Sequence, residues 1–313
     1  MKNLFSAQQL NEKSPLAQYS YLLFVIGMCF LLAVSTQAAI MMLCGMDIET
    51  PKAENLSVFE IKVYKVIQIF SSIILFILPA ILFSLLKRGN ISYLKLHHGI
   101  KWSAAFLATT MVFAALPSVF FSKYLNDLLI LPSSLSWLEE TMRNMEAQAE
   151  KMTLMMLQMD NVFDLFLNLF MIAVLPALGE ELFFRGTVQT LIQETSKKPH
   201  LAIWTAAAIF SFFHFQFYGF LPRLLLGAFF GYLFFWSGNL WYPIIGHFIN
   251  NGSQVIAYYF SEAGAKGEDL GEMPAIEGMQ MWLSLAVILF FSLLYIYQSS
   301  KHFQKITSET VNK

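Results

Sequence analysis

Charge is what this chain has least of. Only 13% of its 313 residues are charged, against 57% that are hydrophobic, whereas soluble proteins carry about 25% charged residues. A soluble chain of this length could not cover its own surface with so few polar groups. The net charge of −1 leaves no global field to attract nucleic acid or acidic substrates, so a nucleic-acid partner is not expected. Cysteine is scarce as well. Cys29 and Cys44 share one apolar stretch; they offer no disulfide framework and no metal spacing, and read as small packing residues. A cleaved leader is also missing from the pattern. Only Lys2 and Lys13 precede the first apolar run, which is too long for a signal core and lacks a cleavage site, so an uncleaved first span is expected. No repeat and no low-complexity tract divides the chain, and one membrane domain over 1–313 is the simplest reading.

What fills the chain instead is bilayer-length apolar sequence, with 31 phenylalanines. A membrane helix needs about 20 apolar residues. Eight stretches approach that length: 18–46, 63–86, 103–121, 161–195, 199–217, 220–237, 241–260 and 280–298. The expected fold is therefore all-α, a polytopic bundle of about eight transmembrane helices. Pro79, Pro117, Pro176 and Pro243 fall within or at the ends of these stretches, which membrane helices tolerate when neighbours satisfy the freed carbonyls. Lys87, Arg88, Lys95 and Lys101 follow the second stretch, Lys197 and Lys198 the fourth, and Lys301, Lys305 and Lys313 the last. The alternate connections are acidic, with Asp47, Glu49, Glu54 and Glu60 in one and Glu262, Glu268, Asp269, Glu272 and Glu277 in another. That asymmetry predicts cytoplasmic termini. Between the third and fourth stretches, Trp137, Leu138, Met142, Met145, Ala149, Met152 and Met156 recur at helical spacing opposite a charged face over 135–159. This predicts an amphipathic helix on the outer interface, or equally an ordinary packing helix between spans.

Against this background a few polar residues stand out. Glu180, Glu181 and Arg185 lie in LPALGEELFFRG, His214 in IFSFFHFQF, and His247, Asn250 and Asn251 in PIIGHFINNGS. Each ionisable group at membrane depth costs roughly 2.5–3.5 kcal/mol on insertion scales, so their concentration in the second half needs a reason. Glu181 and Arg185 are four apart and can pair, while Glu180 sits about 100° further round the helix. Measured from the Lys197–Lys198 turn, Glu180 and His214 fall at similar depth, ~25 Å away in an antiparallel hairpin. His247 and Asn251 share a face. Each also has a plain structural reading: a buried Glu181–Arg185 pair joining helices, or histidine and asparagine as interhelical polar contacts. Glu180 resists that reading, because one arginine cannot easily neutralise two adjacent carboxylates. Protonated or facing water, it suits a general acid or base.

The set Glu180-Glu181-x-x-x-Arg185, Phe210-x-x-x-His214 and His247-x-x-x-Asn251 resembles the three motifs of the CAAX proteases and bacteriocin-processing enzymes. These are intramembrane proteases related to type II CAAX prenyl endopeptidases, also called the abortive-infection family. The resemblance covers about 161–262, taken as the catalytic core; Gly186 and the proline before the glutamates fit it too. It implies an eight-helix fold and peptide hydrolysis inside the membrane. Glu180 would activate water with His214, Glu181 and Arg185 would orient and balance that pair, and His247 and Asn251 would donate to the oxyanion. Zinc as a cofactor stays open: Glu180, His214 and His247 could supply three ligands, yet there is no His-Glu-x-x-His pair, and glutamate-activated water without a metal is favoured.

The expected protein is thus an endopeptidase of the cell membrane, of bacterial origin, acting on a membrane-embedded or lipidated peptide in CAAX-type processing, bacteriocin maturation or self-immunity. The alternative is a non-catalytic immunity or scaffold protein that keeps the constellation for packing. A proton-coupled transporter is weaker, because no inverted repeat relates the halves.

Overall fold

The computed structural model describes residue 10 and residues 13–46, 56–261 and 278–311, with side chains as far as Tyr297. The acidic residues Asp47, Glu49, Glu54, Glu262, Glu268, Asp269, Glu272 and Glu277, together with Lys2 and Lys313, lie outside these residues, as do the side chains of Lys301 and Lys305. Among the described residues the chain is helical, without strands. The helices are α1 Pro15–Leu43, α2 Val58–Arg88, α3 Trp102–Asp127, α4 Ser136–Leu157, α5 Val162–Ser196, α6 Pro199–Phe212, α7 Phe220–Ser237, α8 Trp241–Tyr259 and α9 Gly278–Val311.

Local chemistry sets the ends. Ser57 and Glu60 open α2 as a reciprocal capping box, the Glu60 carboxylate accepting from Ser57 N at 2.7 Å. Asn161 caps α5 by accepting from Phe163 N at 2.8 Å. Gly89 and Gly238 close α2 and α7 in the left-handed region, at φ 71° and 61°. Proline explains two interruptions. It lacks an N–H, and its ring crowds the carbonyl four residues back. Pro79 and Pro176 each follow a turn wound wider than α, Ile73–Ile77 and Leu169–Val174, which makes room for the ring without ending the helix.

Among the described residues six helical stretches are long and apolar enough to cross a membrane: α1, α2, α3, α5, Phe217–Ser237 and Met279–Tyr297. The protein is a multi-pass membrane protein. The other two expected spans form helices but do not meet that measure. The stretch 199–217 is the clearer departure, because α6 has only 14 residues. The chain leaves the helix at Phe213, turns through Phe215 at φ 52°, and re-enters helix at Phe220. The cause is local: His214 Nδ1 donates to the Phe210 carbonyl at 2.8 Å, occupying an acceptor that a continuing helix would use.

α5 is the axis of the bundle, with α2, α6, α7 and α8 packed on it, α3 against α7 and α8, and α9 against α3 and α7. One buried cluster joins Phe83, Leu94, Phe184, Leu191, Phe210 and Leu240; another joins Met111, Phe230, Leu233, Tyr242 and Tyr295. Large apolar side chains on α1 and α9, such as Phe24, Leu31, Leu289 and Phe290, face outward, as a lipid-facing surface requires. At one end of the bundle, buried Lys87 meets Glu194 at 3.1 Å and also donates to Gln18. This ties the ends of α2 and α5 to the start of α1, so the lysine-rich connections after the second and fourth stretches lie together. α4 is largely exposed and held at few points: Lys65 Nζ donates to the Gln158 carbonyl beyond its end at 2.9 Å, and Glu146 accepts from Tyr218 N at 3.3 Å. Trp137 and Met145 stay exposed, consistent with the apolar face expected of 135–159.

Candidate active site

The site begins with a change of winding. Glu180 ends an α-helical stretch, and from Glu181 to Gln189 α5 is wound wider. Thr187 and Thr190 hydroxyls donate to the carbonyls of Leu182 and Arg185, five residues back in each case. They thereby satisfy backbone groups that the wider winding loosens. The wide segment keeps Glu181 and Arg185 on one face and sends Glu180 elsewhere. Glu181 is 0% exposed, while the side chain of Glu180 retains 13%.

Glu181 is the hub of a closed network. Its Oε1 accepts from Arg185 Nη1 at 2.7 Å and lies 2.9 Å from His247 Nδ1, which fixes the imidazole with Nδ1–H donating. Arg185 Nη2 donates to the Gly227 carbonyl on α7 at 2.9 Å. Its guanidinium carbon lies 4.9 Å from the Phe210 ring centre and 5.6 Å from that of Phe230, and His247 stacks on Phe230 at 5.3 Å. Charge, hydrogen bonds and aromatic faces are therefore all matched around Arg185.

Glu180 is different. It makes no hydrogen bond among the described residues, and its nearest titratable partner is His247 Nε2 at 3.8 Å. A carboxylate with free lone pairs, edged by an imidazole, can take a proton from a bound water.

Sequence-predicted residues divide accordingly. Glu180, Glu181, Arg185 and His247 are brought together. Among the described residues His214 makes no hydrogen bond or ion pair with Glu180. It sits on Phe210, ring centres 4.8 Å apart, and that phenylalanine stands also 6.3 Å from His247; its Nε2 is left free by the Nδ1 bond. Asn251 is engaged with α5, Nδ2 donating to the Ile172 carbonyl at 3.0 Å and Oδ1 accepting from Asn250 at 3.0 Å. Ile172 stands four residues before Pro176, so in an α-helical register its carbonyl would pair with the N–H that proline lacks. Among the described residues no group of three or more His, Cys, Asp or Glu side chains is arranged to hold a metal ion. Glu180 and His247 offer two donors, and His214 does not complete a third.

Sequence reading gave α7 as a span but did not place it at the site. Arg185 reaches the carbonyl of Gly227 and Gln189 Nε2 that of Gly231, at 2.9 and 3.1 Å, two rungs one turn apart. A Cβ on Gly227 would stand 3.1 Å from the Ala207 Cβ, and one on Gly231 2.8 Å from Gln189 Oε1. The signal was available: Gly227-x-x-x-Gly231 is the small-residue spacing by which membrane helices approach closely.

Residues 162–253 match the family model described as Type II CAAX prenyl endopeptidase Rce1-like, so the resemblance carried by the three motifs holds over the segment that contains them. The chain is also similar to the uncharacterized protein YpbD of Bacillus subtilis, 31% identical over 86 residues. That match covers 26% of this chain and 41% of YpbD, so the chain spans well under two thirds of this relative. No solved structure matches.

Proposed function

We propose that the protein is an intramembrane endopeptidase that hydrolyses a peptide bond of a membrane-embedded or lipidated substrate with water activated by Glu180. The observation that carries this is the contrast between neighbours: Glu181 is sealed in a network of Arg185 and His247, while Glu180 beside it has no hydrogen-bond partner among the described residues and stays 13% exposed. Glu180 takes a proton from water as the water oxygen adds to the peptide carbonyl carbon. The carbonyl π electrons move to oxygen, giving a tetrahedral oxyanion. As that collapses, the C–N bond breaks and Glu180 passes the proton to the departing amine. His247 is the nearest group to this exchange. Doubly protonated, it would balance the second carboxylate and offer Nε2–H to the oxyanion while Nδ1–H stays on Glu181. The remaining Nδ2–H of Asn251 is a second donor on the same helix. His214, with Nε2 free, would meet the substrate from the α6 side.

The match of 162–253 to the CAAX prenyl endopeptidase model supports this reaction class; a lipidated substrate, CAAX-type processing and a role in bacteriocin maturation or self-immunity remain proposals of the same kind, as do cytoplasmic termini and a bacterial cell membrane. A zinc-assisted version needs a third ligand beside Glu180 and His247, and chelator separates it from the metal-free one. The scaffold alternative draws on the helix-bridging bonds Arg185–Gly227 and Asn251–Ile172, but among the described residues no hydrogen bond engages Glu180, whose one ion pair is the 3.8 Å approach of His247.

The test is purified protein in detergent on a peptide library, with and without chelator, beside Glu180→Gln. This substitution removes no hydrogen bond, so the variant is expected to fold normally and lose ~10²-fold or more of the activity. A Glu180→Gln protein that cleaves as well as the parent refutes the assignment.

A further inference from the structure

Arg223 is a cation that neither the three motifs nor the proposed chemistry uses. It lies in the first turn of α7, half-buried, just past the turn that carries His214. Its guanidinium is fixed in place. Nη1 donates to the Gln216 carbonyl at 3.1 Å and Nη2 to the Gln216 side-chain oxygen. The group rests on Gly219, where a Cβ would stand 2.4 Å from Nη1 and 2.7 Å from Cζ; a larger residue there would unseat it. The neighbouring ionisable groups are His214, two residues before its partner Gln216, and Glu146 of α4, bonded two residues after it at Tyr218. Yet it forms an ion pair with neither of them among the described residues, and Glu146 is engaged with Tyr218 N instead.

Two of the five guanidinium N–H groups are used, both on neutral acceptors. A cation partly withdrawn from water is costly unless an anion joins it. A guanidinium with spare donors, held rigid by its own turn, has the geometry that receives a carboxylate. Resting on the hydrolase reading above, we propose that Arg223 is a substrate-binding residue that takes a carboxylate of the peptide and so sets the distance from that anion to the bond facing Glu180. The carboxylate is either a free C-terminus or an acidic side chain near the cleaved bond, since both present the same two oxygens.

The experiment uses full-length protein in detergent and three dansylated apolar hexapeptides of one sequence. One ends in a free carboxylate, one in an amide, and the third is the amide with an internal aspartate. Binding is read by fluorescence anisotropy, so cleavage is not required, and hydrolysis is followed in parallel. The parent protein is expected to bind at least one carboxylate peptide roughly tenfold tighter than the plain amide, and the peptide that shows this names the source of the anion. Arg223→Gln should bring the ratio near one, and Arg223→Lys should restore part of it. Equal binding of all three peptides by the parent overturns the proposal, and does so even where Arg223→Gln fails to fold. A preference retained in Arg223→Gln, or a uniform loss for all three peptides, also overturns it, the latter marking a residue that only holds its turn. Selective binding without hydrolysis of any peptide would leave the Arg223 assignment standing and bring down the hydrolase reading; hydrolysis without selectivity does the reverse.

Discussion

Replacing Arg185 by methionine tests the buried network directly. The side chain is 1% exposed, and methionine keeps most of its length while deleting the charge and every donor. Glu181 Oε1 would lose a 2.7 Å charge-assisted bond and keep His247 Nδ1 alone, while Oε2 has no partner among the described residues to begin with. The Gly227 carbonyl would lose its 2.9 Å donor. Breaking a buried ion pair from one side costs ~3–5 kcal/mol, because the remaining charge is left uncompensated. The freed carbonyl belongs to the same network, so its cost does not simply add. Arg185→Met should therefore lose ~3–5 kcal/mol, read as reversible unfolding in mixed micelles by circular dichroism. Glu181→Gln should cost a similar amount by stranding the guanidinium. The double variant should lose less than the sum by ~2 kcal/mol or more, since neither charge is then left alone. An Arg185→Met protein within ~1 kcal/mol of the parent, or strictly additive losses, would refute the account of a desolvated pair.

Two further substitutions probe how the helices meet. Asn251→Ala should cost ~1–3 kcal/mol by leaving the Ile172 carbonyl unpaired, and distinctly less in a Pro176→Ala background, where residue 176 regains an N–H; the same cost in both would show that proline is not what frees that carbonyl. Gly231→Ala should cost ~1–3 kcal/mol by unfolding in micelles, because its Cβ would meet Gln189 Oε1 at 2.8 Å and Ile203 Cγ2 at 2.9 Å; an unchanged stability would mean that α7 does not need this close approach.

Much of the fold was legible because the bilayer imposes a simple rule: backbone groups must be satisfied within the segment, so apolar runs of sufficient length become helices. The run 199–217 is helical only as far as Phe212, for a specific reason. Composition is apolar throughout, but His214 bonds back to the Phe210 carbonyl, and the chain turns inside a stretch that hydropathy alone reads as continuous. The site was half legible. Glu180, Glu181, Arg185 and His247 stood out by insertion cost and spacing, and they do converge. Arg223 did not stand out, because a single arginine near the start of an apolar stretch resembles an interfacial anchor; only its seat on Gly219 and its place beside the site distinguish it.

The sequence by itself determined a many-spanning helical membrane protein and the short list of polar groups too costly to be idle. These follow from transfer energies and from spacing along one chain, both local quantities. Tertiary structure alone decided which of two adjacent carboxylates is neutralised. That outcome depends on the wider winding that turns Glu181 toward Arg185 and His247, and on α7 approaching closely enough for a glycine carbonyl to take the second guanidinium bond. No spacing along the chain encodes that approach, because it is settled by which helix surfaces fit together.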